Sequence, residues 1–565
     1  MGINRVYFSL FFFLFTHPLV LKSQTLPAGF PVWEEAARRT QLLGIGYHKY
    51  SFGSRPLIWE QETADLLHQE TSDSVGLKVQ SQIDKKSAKI LPLLSTTVYN
   101  SNRPFGWGNY GVQNGAGLQT LFSTGAFFKF HFLEVQLRPE FVFSQNKPFE
   151  GFSDQFSDNS IFARFRFWNF GDHPERFYGD YNQIASWGQS YVSLTFGKAE
   201  LGFSTQNIWW GPGQFSSLIF SDNARGMKHF FIKTKSPANI GIGLLEAQMI
   251  FGRAEDSGLE PTQNTLLNAQ YFRPFSGDWR YVNGMSFSFQ PSFLKNLTVG
   301  LNRTFQQYNA DVEKTLLGRV PVFEAFQKEK FFENDNTVFY DQKAQDQQAS
   351  VFFRYKNVKG RFEVYSEFGK RDHNFNWREF ILNPEHARAY IFGFQKLVQL
   401  NQPGKFLQFR GEIVHQQESV NRYIRYPVLG ELNTSWQTHY QVRGFTNFGE
   451  SMGTGIGVGA NVQLLEASIV KGISKIGIRL QRLENHQDFY YRIKNEIPDQ
   501  NPWVDLSTGF LYDFVWKNLI VSTSNQFVTS SNYQWIGEES SSAEFKGGKQ
   551  KFTYSSSLKL IYNFH

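Results

Sequence analysis

The residue pattern with the clearest chemical potential is NIWWGPGQF, which runs from Asn207 to Phe215. Its two tryptophans precede Gly-Pro-Gly, which favours a sharp turn and interrupts helices and paired strands. Indole rings fixed at such a turn can stack on sugar rings, and the acidic, amide and basic side chains that follow can bond sugar hydroxyls or carboxylates. The sequence therefore predicts a set of candidate carbohydrate-binding residues: Trp209, Trp210, Asp222, Asn223, Arg225 and Lys228.

A structural role is the alternative for the same residues. Tryptophans at the rim of a membrane barrel commonly form an interfacial girdle, and a loop can also fold inward and pack its rings as a plug. Polar loop residues often hydrogen-bond within their own loop. Both interpretations stay open at this point.

Two Asp-His pairs are the candidates for catalysis or cation binding. Asp372-His373 follows Ser366, but adjacent residues of an extended chain point apart, so these residues do not form a triad by themselves. Asp172-His173, with Glu175 and Asp180, is more typical of a solvated acidic loop. The sequence has no HExxH, Walker or GxSxG motif. We therefore expect no catalytic residue, no metal and no cofactor.

The composition is rich in aromatic residues yet polar on average. Of 565 residues, 17% are aromatic, while the mean hydropathy is −0.39. A chain that alternates the two kinds of residue, as a membrane β-barrel does, has this composition. The absence of cysteine excludes disulfides and thiolate metal sites. The net charge of +7 mildly favours anionic partners, but it indicates no nucleic-acid-binding patch.

The N-terminus has the pattern of a secretory signal. A basic start, MGINR, is followed by an apolar run and the polar LKSQT, which predicts a signal peptide over residues 1–23. A single membrane anchor is the alternative, and His17-Pro18 disfavours it. Residues 24–86 are predicted as an N-terminal helical or plug segment, with helices near 30–45 and 59–70. No later run of 18 apolar residues predicts a transmembrane helix.

From about residue 87 the sequence alternates apolar and polar residues. Side chains at i and i+2 lie on one side of a strand, so each segment has an apolar and an ionic face. The alternation breaks down over 445–462, where glycines predict a bulge or a tight turn. The clearest alternating segments are Glu134–Phe143, Ser350–Lys356, Arg361–Phe368, Leu407–Ile413 and Lys475–Leu483.

A soluble sandwich also shows such alternation, but strand length, the export signal and an aromatic C-terminal strand favour a membrane barrel. Short connections such as 357–360 alternate with long ones, which is the asymmetry of outer-membrane barrels. We predict an all-β membrane protein over residues 87–565, a large antiparallel barrel of about 16–18 strands. Its ionic face would line the lumen, with these candidate ion-pair residues: Arg138, Glu140, Arg361, Glu363, Arg410 and Glu412.

The stretch Asn207–Thr234 resembles the signature of the Wzi-type outer-membrane capsule assembly proteins. Trp-Trp-Gly-Pro-Gly is followed by Ser217-Leu218-Ile219 and by Ser221-Asp222-Asn223-Ala224, with Asp222 in place of the usual Asn. Shorter stretches, each a weak match alone, follow the family's sequence in the same order along residues 30–564, including Gln41–Gly44 and Gly188–Tyr191. The resemblance implies a barrel of about eighteen strands with an N-terminal helical plug. It also implies a lectin-like role in organising capsular polysaccharide.

The sequence thus predicts an exported protein of the bacterial outer membrane that binds a surface polysaccharide and helps to assemble or anchor it. Its other expected partners are outer-membrane lipids and, during biogenesis, the barrel assembly machinery. The main alternative is a porin with an ionic, conducting lumen. An outer-membrane barrel enzyme is the third hypothesis.

Overall fold

The computed structural model describes residues 25–58, 86–275, 277–315, 318–324, 343–372, 381, 384–418, 435–494, 501–536 and 548–564. They form a closed antiparallel β-barrel of 18 strands, three of which are interrupted. The predicted fold class is confirmed. The predicted signal peptide and the second predicted helix, residues 59–70, lie outside the described residues.

The barrel strands are numbered in chain order. They are β1 (Lys86–Asn100), β2 (Gly117–Phe130), β3 (Leu133–Leu137 and Glu140–Ser144), β4 (Asn182–Ser186 and Tyr191–Phe196), β5 (Ala199–Ser204), β6 (Lys228–Thr234 and Ala238–Asn239), β7 (Gly243–Ala254), β8 (Arg280–Pro291), β9 (Leu297–Tyr308), β10 (Asp346–Asn357), β11 (Phe362–Arg371), β12 (Arg388–Gln399), β13 (Lys405–His415), β14 (Asn461–Lys471), β15 (Ser474–Glu484), β16 (Val504–Trp516), β17 (Leu519–Ser531) and β18 (Lys551–Tyr562).

Each strand pairs with the next one along the chain, and β18 closes the barrel on β1 from Ser555↔Asn100 to Tyr562↔Leu93. Every backbone group of a strand in lipid needs such a partner, and a closed barrel provides it. The apolar side chains of the alternating pattern face outward. In β16, for example, Phe510 is 51% exposed, whereas the lumenal Asp513 is buried.

The two ends of the barrel differ in the length of their connections. Short turns join alternate strand pairs, at 131–132, 197–198, 240–242, 292–296, 358–361, 400–404, 472–473 and 517–518. Long loops join the others, at 101–116, 145–181, 205–227, 255–279, 309–345, 372–387, 416–460, 485–503 and 532–550. The predicted asymmetry is therefore present, and the long loops supply the material that fills the lumen.

Besides the barrel strands, the described residues form four short α-helices: α1 (Trp33–Leu43), α2 (Asp158–Asn169), α3 (Thr265–Tyr271) and α4 (Gln487–Ile493). Single 3-10 turns lie at Ser292–Leu294, Asn309–Asp311, Pro321–Phe323 and Tyr533–Trp535. None of the helices in the described ranges is long and apolar enough to cross a membrane. Two-residue strands lie at Thr25–Leu26, Ser54–Arg55, Leu57–Ile58, Trp209–Trp210, Thr446–Asn447 and Glu450–Ser451.

Residues 25–58, which we call the lumenal segment, lie inside the barrel. Helix α1 falls within the predicted 30–45 and ends at Gly44, whose left-handed backbone lets its N–H reach Gln41 O. Near the short-turn end, Leu42 packs against an apolar cluster of Leu397, Phe406 and Val470. The position of the N-terminal helix, which the sequence left open, is therefore the lumen.

Candidate functional site

Ion pairs hold α1 to the barrel wall. Arg38 Nε lies 2.5 Å from Glu363 Oε1, and the same carboxylate also pairs with Arg354, Nε to Oε2 at 2.8 Å. One turn away, Glu35 Oε2 lies 2.7 Å from Lys475 Nζ and 3.0 Å from Arg410 Nη2. These side chains are almost fully buried, apart from the slightly exposed Glu35. The helix is therefore fixed to two stretches of wall, β10–β11 and β13–β15, by charges that neutralise one another.

The six residues predicted to form lumenal ion pairs find partners other than their own strand neighbours. Glu363 and Arg410 form ion pairs, and Arg410 also reaches Glu466 at 2.7 Å. Residues two apart in a strand share a face, but these six side chains instead contact neighbouring strands, loops and helix α1. The other four have these roles: Glu412 accepts from Gln214 N and Tyr365 Oη, Glu140 accepts from Gln189, Arg138 donates to Pro92 O, and Arg361 lies over the Phe406 ring.

The loop of residues 205–227, here called the tryptophan loop, starts at the long-loop end and folds into the lumen. There Trp209–Trp210 pairs as a short antiparallel strand with Ser54–Arg55 of the lumenal segment, and Gly211 N donates to Gly53 O at 2.8 Å. The Arg55 guanidinium lies 4.4 Å above the Trp209 ring. The two rings are therefore held in an irregular loop because that loop docks on the lumenal segment.

The two tryptophans differ in surroundings. Trp210 is fully buried, donates Nε1–H to Gln248 Oε1 at 2.9 Å, and meets the Phe220 ring edge-on at 4.9 Å. Trp209 is 2% exposed and borders a lumenal cavity. In this arrangement Trp210 packs the loop inward, and only Trp209 is placed beside a space that could hold a ligand.

The Gly-Pro-Gly turn presents its carbonyls to the lumenal segment. Gly213 O accepts from Arg55 Nη2 at 2.7 Å and from Arg38 Nη1 at 3.4 Å. A Cβ on Gly213 would collide with Ser216 O, and Gly211 has φ of +126°, which disfavours other residues. Glycine is thus required at this turn because the backbone itself is the binding surface for the two arginines.

The remaining predicted carbohydrate-binding residues are dispersed. Asp222 borders the same cavity as Trp209. Asn223 joins two loops, accepting from Gly108 N at 3.3 Å and donating to Ser451 O at 2.9 Å. Arg225 lies 4.1 Å above the Phe448 ring, and Lys228 is exposed at the start of β6. The structure therefore brings Trp209 and Asp222 to one cavity and leaves the other four outside it.

Burial changes the acidity of Asp222. Desolvation, with the nearby Glu34 carboxylate adding to it, raises the pKa of Asp222 to about 7. The Lys559 ammonium and the Arg55 guanidinium act in the opposite direction. The carboxyl group therefore changes charge near neutral pH.

The glycine-rich stretch 445–462 supports the tryptophan loop, a role that the sequence did not predict. It is the end of the long loop 416–460, followed by the start of β14, and it is not a bulged strand. The predicted tight turn is present at 448–449, between the paired residues Asn447 and Glu450. Ser221 donates to Met452 O and Gly453 O at 2.8 and 2.6 Å, and a Cβ on Gly453 would collide with Leu218 O. The loss of alternation at the glycines was the available signal, because close backbone packing requires residues without side chains.

The acids of the two Asp-His pairs contact residues from other parts of the chain. Asp372 Oδ1 and Oδ2 lie 3.8 and 3.9 Å from His439 and His386, while His373 lies outside the described residues. In the other group, Asp172 is buried against Ser257, and the exposed Asp180 pairs with Arg176. No cluster of three or more His, Asp or Glu side chains suited to a metal occurs among the residues that the structure describes.

Comparison with known proteins agrees with this architecture. A family model described as capsule assembly protein Wzi matches residues 102–468, more than half of the 565-residue chain. The chain belongs to the Wzi capsule assembly protein family. The resemblance inferred from the tryptophan loop is therefore confirmed.

Solved structures support the fold of this Wzi-family chain. Escherichia coli Wzi, described as an outer membrane protein involved in group 1 capsule assembly and as a carbohydrate-binding β-barrel, aligns at 13% identity and a TM-score of 0.57. The alignment covers 97% of this chain and 100% of that one. At this identity the likeness concerns the fold alone.

Two other solved structures are more distant. Pseudomonas aeruginosa OccK8 aligns at 9% identity over 84% of this chain and 97% of its own, and Acinetobacter baumannii OccAB3 at 11% over 84% and 99%. Both have a TM-score of 0.38, which is too low to support a functional comparison. No curated protein sequence matches this chain.

Proposed function

We propose that this Wzi-family barrel lies in the bacterial outer membrane, binds a surface polysaccharide such as capsule, and helps to hold it at the cell surface. The observation that carries the proposal is the family match over residues 102–468, which includes the tryptophan loop and most of the long loops. Export by a signal peptide, contact with outer-membrane lipids and insertion by the barrel assembly machinery belong to the same proposal.

Binding of a polymer does not require a strong single site. A repeating polysaccharide offers many copies of one unit, so it engages many barrels in one membrane, and weak contacts add up to stable retention. The long loops of one barrel end would face the outside and carry these contacts. No covalent step and no cofactor is part of this mechanism.

The occupied lumen favours binding over the porin hypothesis. Helix α1, the tryptophan loop and the glycine-rich end of loop 416–460 all lie inside the barrel, and buried ion pairs tie α1 to the wall. A conducting porin needs a continuous aqueous path, which these elements obstruct. The proposal therefore includes a low conductance in the resting state.

The test uses the purified mature barrel in detergent. Immobilised capsular polysaccharide from encapsulated bacteria, one acidic and one neutral, should retain the barrel, and dextran beads serve as the control. The same preparation in planar bilayers should show almost no steady conductance. Large steady conductance without polysaccharide retention would support the porin hypothesis instead, and hydrolysis of the polysaccharide would support an enzyme.

A further inference from the structure

A cavity of about 240 Å³ lies inside the lumen beside α1, and we call it the lumenal chamber. Its floor is the start of α1, and its wall is the inner face of β15–β18. Its roof consists of residues 105–109 together with Trp209 and Asp222 of the tryptophan loop. The Asn223 side chain, which bonds Gly108, holds the two roof loops together. The chamber is thus a built feature in which four parts of the chain meet.

Small polar side chains create the space on the strand side. Ser524 of β17 and Ser557 of β18 are cross-strand neighbours, and the flanking wall pairs are Ser522 with Lys559 and Gln526 with Ser555. Elsewhere the lumenal face carries long arginines, glutamates and glutamines that meet the lumenal segment. Serines leave room at this place and present hydroxyl groups to it.

Several side chains that line the chamber carry a buried polar atom with no hydrogen-bond partner among the described protein atoms. Buried polar atoms are almost always bonded, and each one left unbonded costs about 1–3 kcal/mol. A molecule in the chamber with several donors and acceptors would satisfy them together. The atoms are Arg38 Nη2, Trp209 Nε1, Gln481 Nε2, Ser524 Oγ and Ser557 Oγ.

The charges around the chamber largely neutralise each other. Lys475 pairs with Glu35 and with Asp513, the latter at 3.3 Å, and Arg479 pairs with Glu466 at 2.8 Å. Arg38 and Arg410 are already paired as described, and Glu34 pairs with Arg55. The remaining charged residues of the lining, Asp222 and Lys559, attract each other. The ligand that fits is therefore rich in hydroxyl groups and carries no net charge.

We propose that the lumenal chamber binds one uncharged sugar residue, a terminal or branching unit of the polysaccharide in the proposed function, on which this inference rests. Trp209 Nε1, Gln481 Nε2 and Arg38 Nη2 donate to sugar oxygens. The Ser524 and Ser557 hydroxyls exchange hydrogen bonds with sugar hydroxyls. The chamber gives the barrel one defined sugar contact in addition to the many weak contacts of its outer loops.

The experiment measures binding of simple sugars to the full mature barrel by equilibrium dialysis. The probes are radiolabelled glucose, galactose, maltose and lactose, with glucuronate as the charged counterpart. The detergent must have no sugar headgroup, because maltosides and glucosides would compete for the chamber. At least one neutral sugar should bind saturably, with one site per barrel, and more tightly than glucuronate.

The chain offers a matched pair of variants. Ser524→Leu with Ser557→Leu fills the chamber and should weaken binding of the neutral sugar at least about ten-fold, because added methylenes collide with a bound ligand. Ser556→Leu makes the same change one residue away, on the outward face of β18, and should leave binding unchanged. Trp209→Phe keeps an aromatic ring but removes the indole N–H and the second ring, and should weaken binding about three- to ten-fold.

The outcomes separate the chamber from the proposed function. The proposed sugar site in the chamber is refuted if the inward and outward variants lose sugar binding equally, or if neither the double variant nor Trp209→Phe loses it. Polysaccharide retention by the wild type would still support the proposed function in that case. Saturable neutral-sugar binding that depends on Ser524 and Ser557, without any retention of polysaccharide, supports the chamber and contradicts the proposed function. Preference for glucuronate overturns the uncharged ligand class.

Discussion

Replacing Glu363 by Gln should release helix α1 from the barrel wall. The Glu363 carboxylate bonds Arg38 Nε at 2.5 Å and Arg354 Nε at 2.8 Å, and all three side chains are at most 4% exposed. Glutamine keeps the shape but removes the charge, so two buried guanidinium groups lose their shared partner. Because solvent screening is small here, we apply the figure for breaking a buried ion pair, about 3–5 kcal/mol.

The lost free energy destabilises mainly the docking of α1, because the backbones of the strands stay hydrogen-bonded. It corresponds to about a hundred-fold to several-thousand-fold increase in the open population of the helix. Amide hydrogen exchange detects such local opening directly. Exchange in a peptide covering residues 33–43 should accelerate by that factor, while exchange in β7, on another part of the wall, should not change.

Glu150→Gln provides the matched control. Glu150 also pairs with two cations, Lys549 and Lys551, but its side chain is 47% exposed. Such surface pairs contribute only about 0–1 kcal/mol, so exchange should stay close to that of the wild type. Exchange of α1 within about three-fold of the wild-type rate in Glu363→Gln would refute the reasoning that buried charges hold the helix.

Three further outcomes are expected. Trp210→Ala should cost about 3–5 kcal/mol of loop docking and make the tryptophan loop sensitive to protease, whereas Lys228→Ala should change stability by no more than about 0.5 kcal/mol. Burial raises the pKa of Asp222 to about 7, so the folded state binds this proton more tightly than the unfolded state does. The stability of the wild type should therefore fall as the pH rises from about 4 to about 7. Asp222→Asn should lose this part of the pH dependence in thermal unfolding. Gly453→Ala should lower the unfolding temperature because its Cβ meets backbone, whereas Gly179→Ala, with nothing within 4 Å of its Cβ, should not.

The barrel could be predicted from the sequence because its pattern is local. Alternation places Phe510 outward and Asp513 inward whatever the partner strand is, and loop lengths follow from where alternation stops. The residues of the barrel wall and the charged residues of the lumen could therefore be predicted one by one.

The filling of the lumen could not be predicted in the same way. Arg38 and Glu363 are 325 positions apart, and Trp210 meets Gln248 of β7 only because the tryptophan loop folds inward. Such contacts depend on the three-dimensional course of loops, which no short-range period encodes. The candidate sugar residues were chosen by type and proximity in sequence, and only Trp209 and Asp222 share a cavity.

The contacts of α1 also constrain the order of folding. Its partners Glu363, Arg410 and Lys475 lie hundreds of residues downstream, so the helix gains its ion pairs only after β11 to β15 exist. Contacts so remote along the chain form slowly, because the loop-closure entropy must be overcome before they stabilise anything. The N-terminal helix therefore stays undocked until this part of the wall has formed, and its ion pairs mark a step that comes after the assembly of β11 to β15.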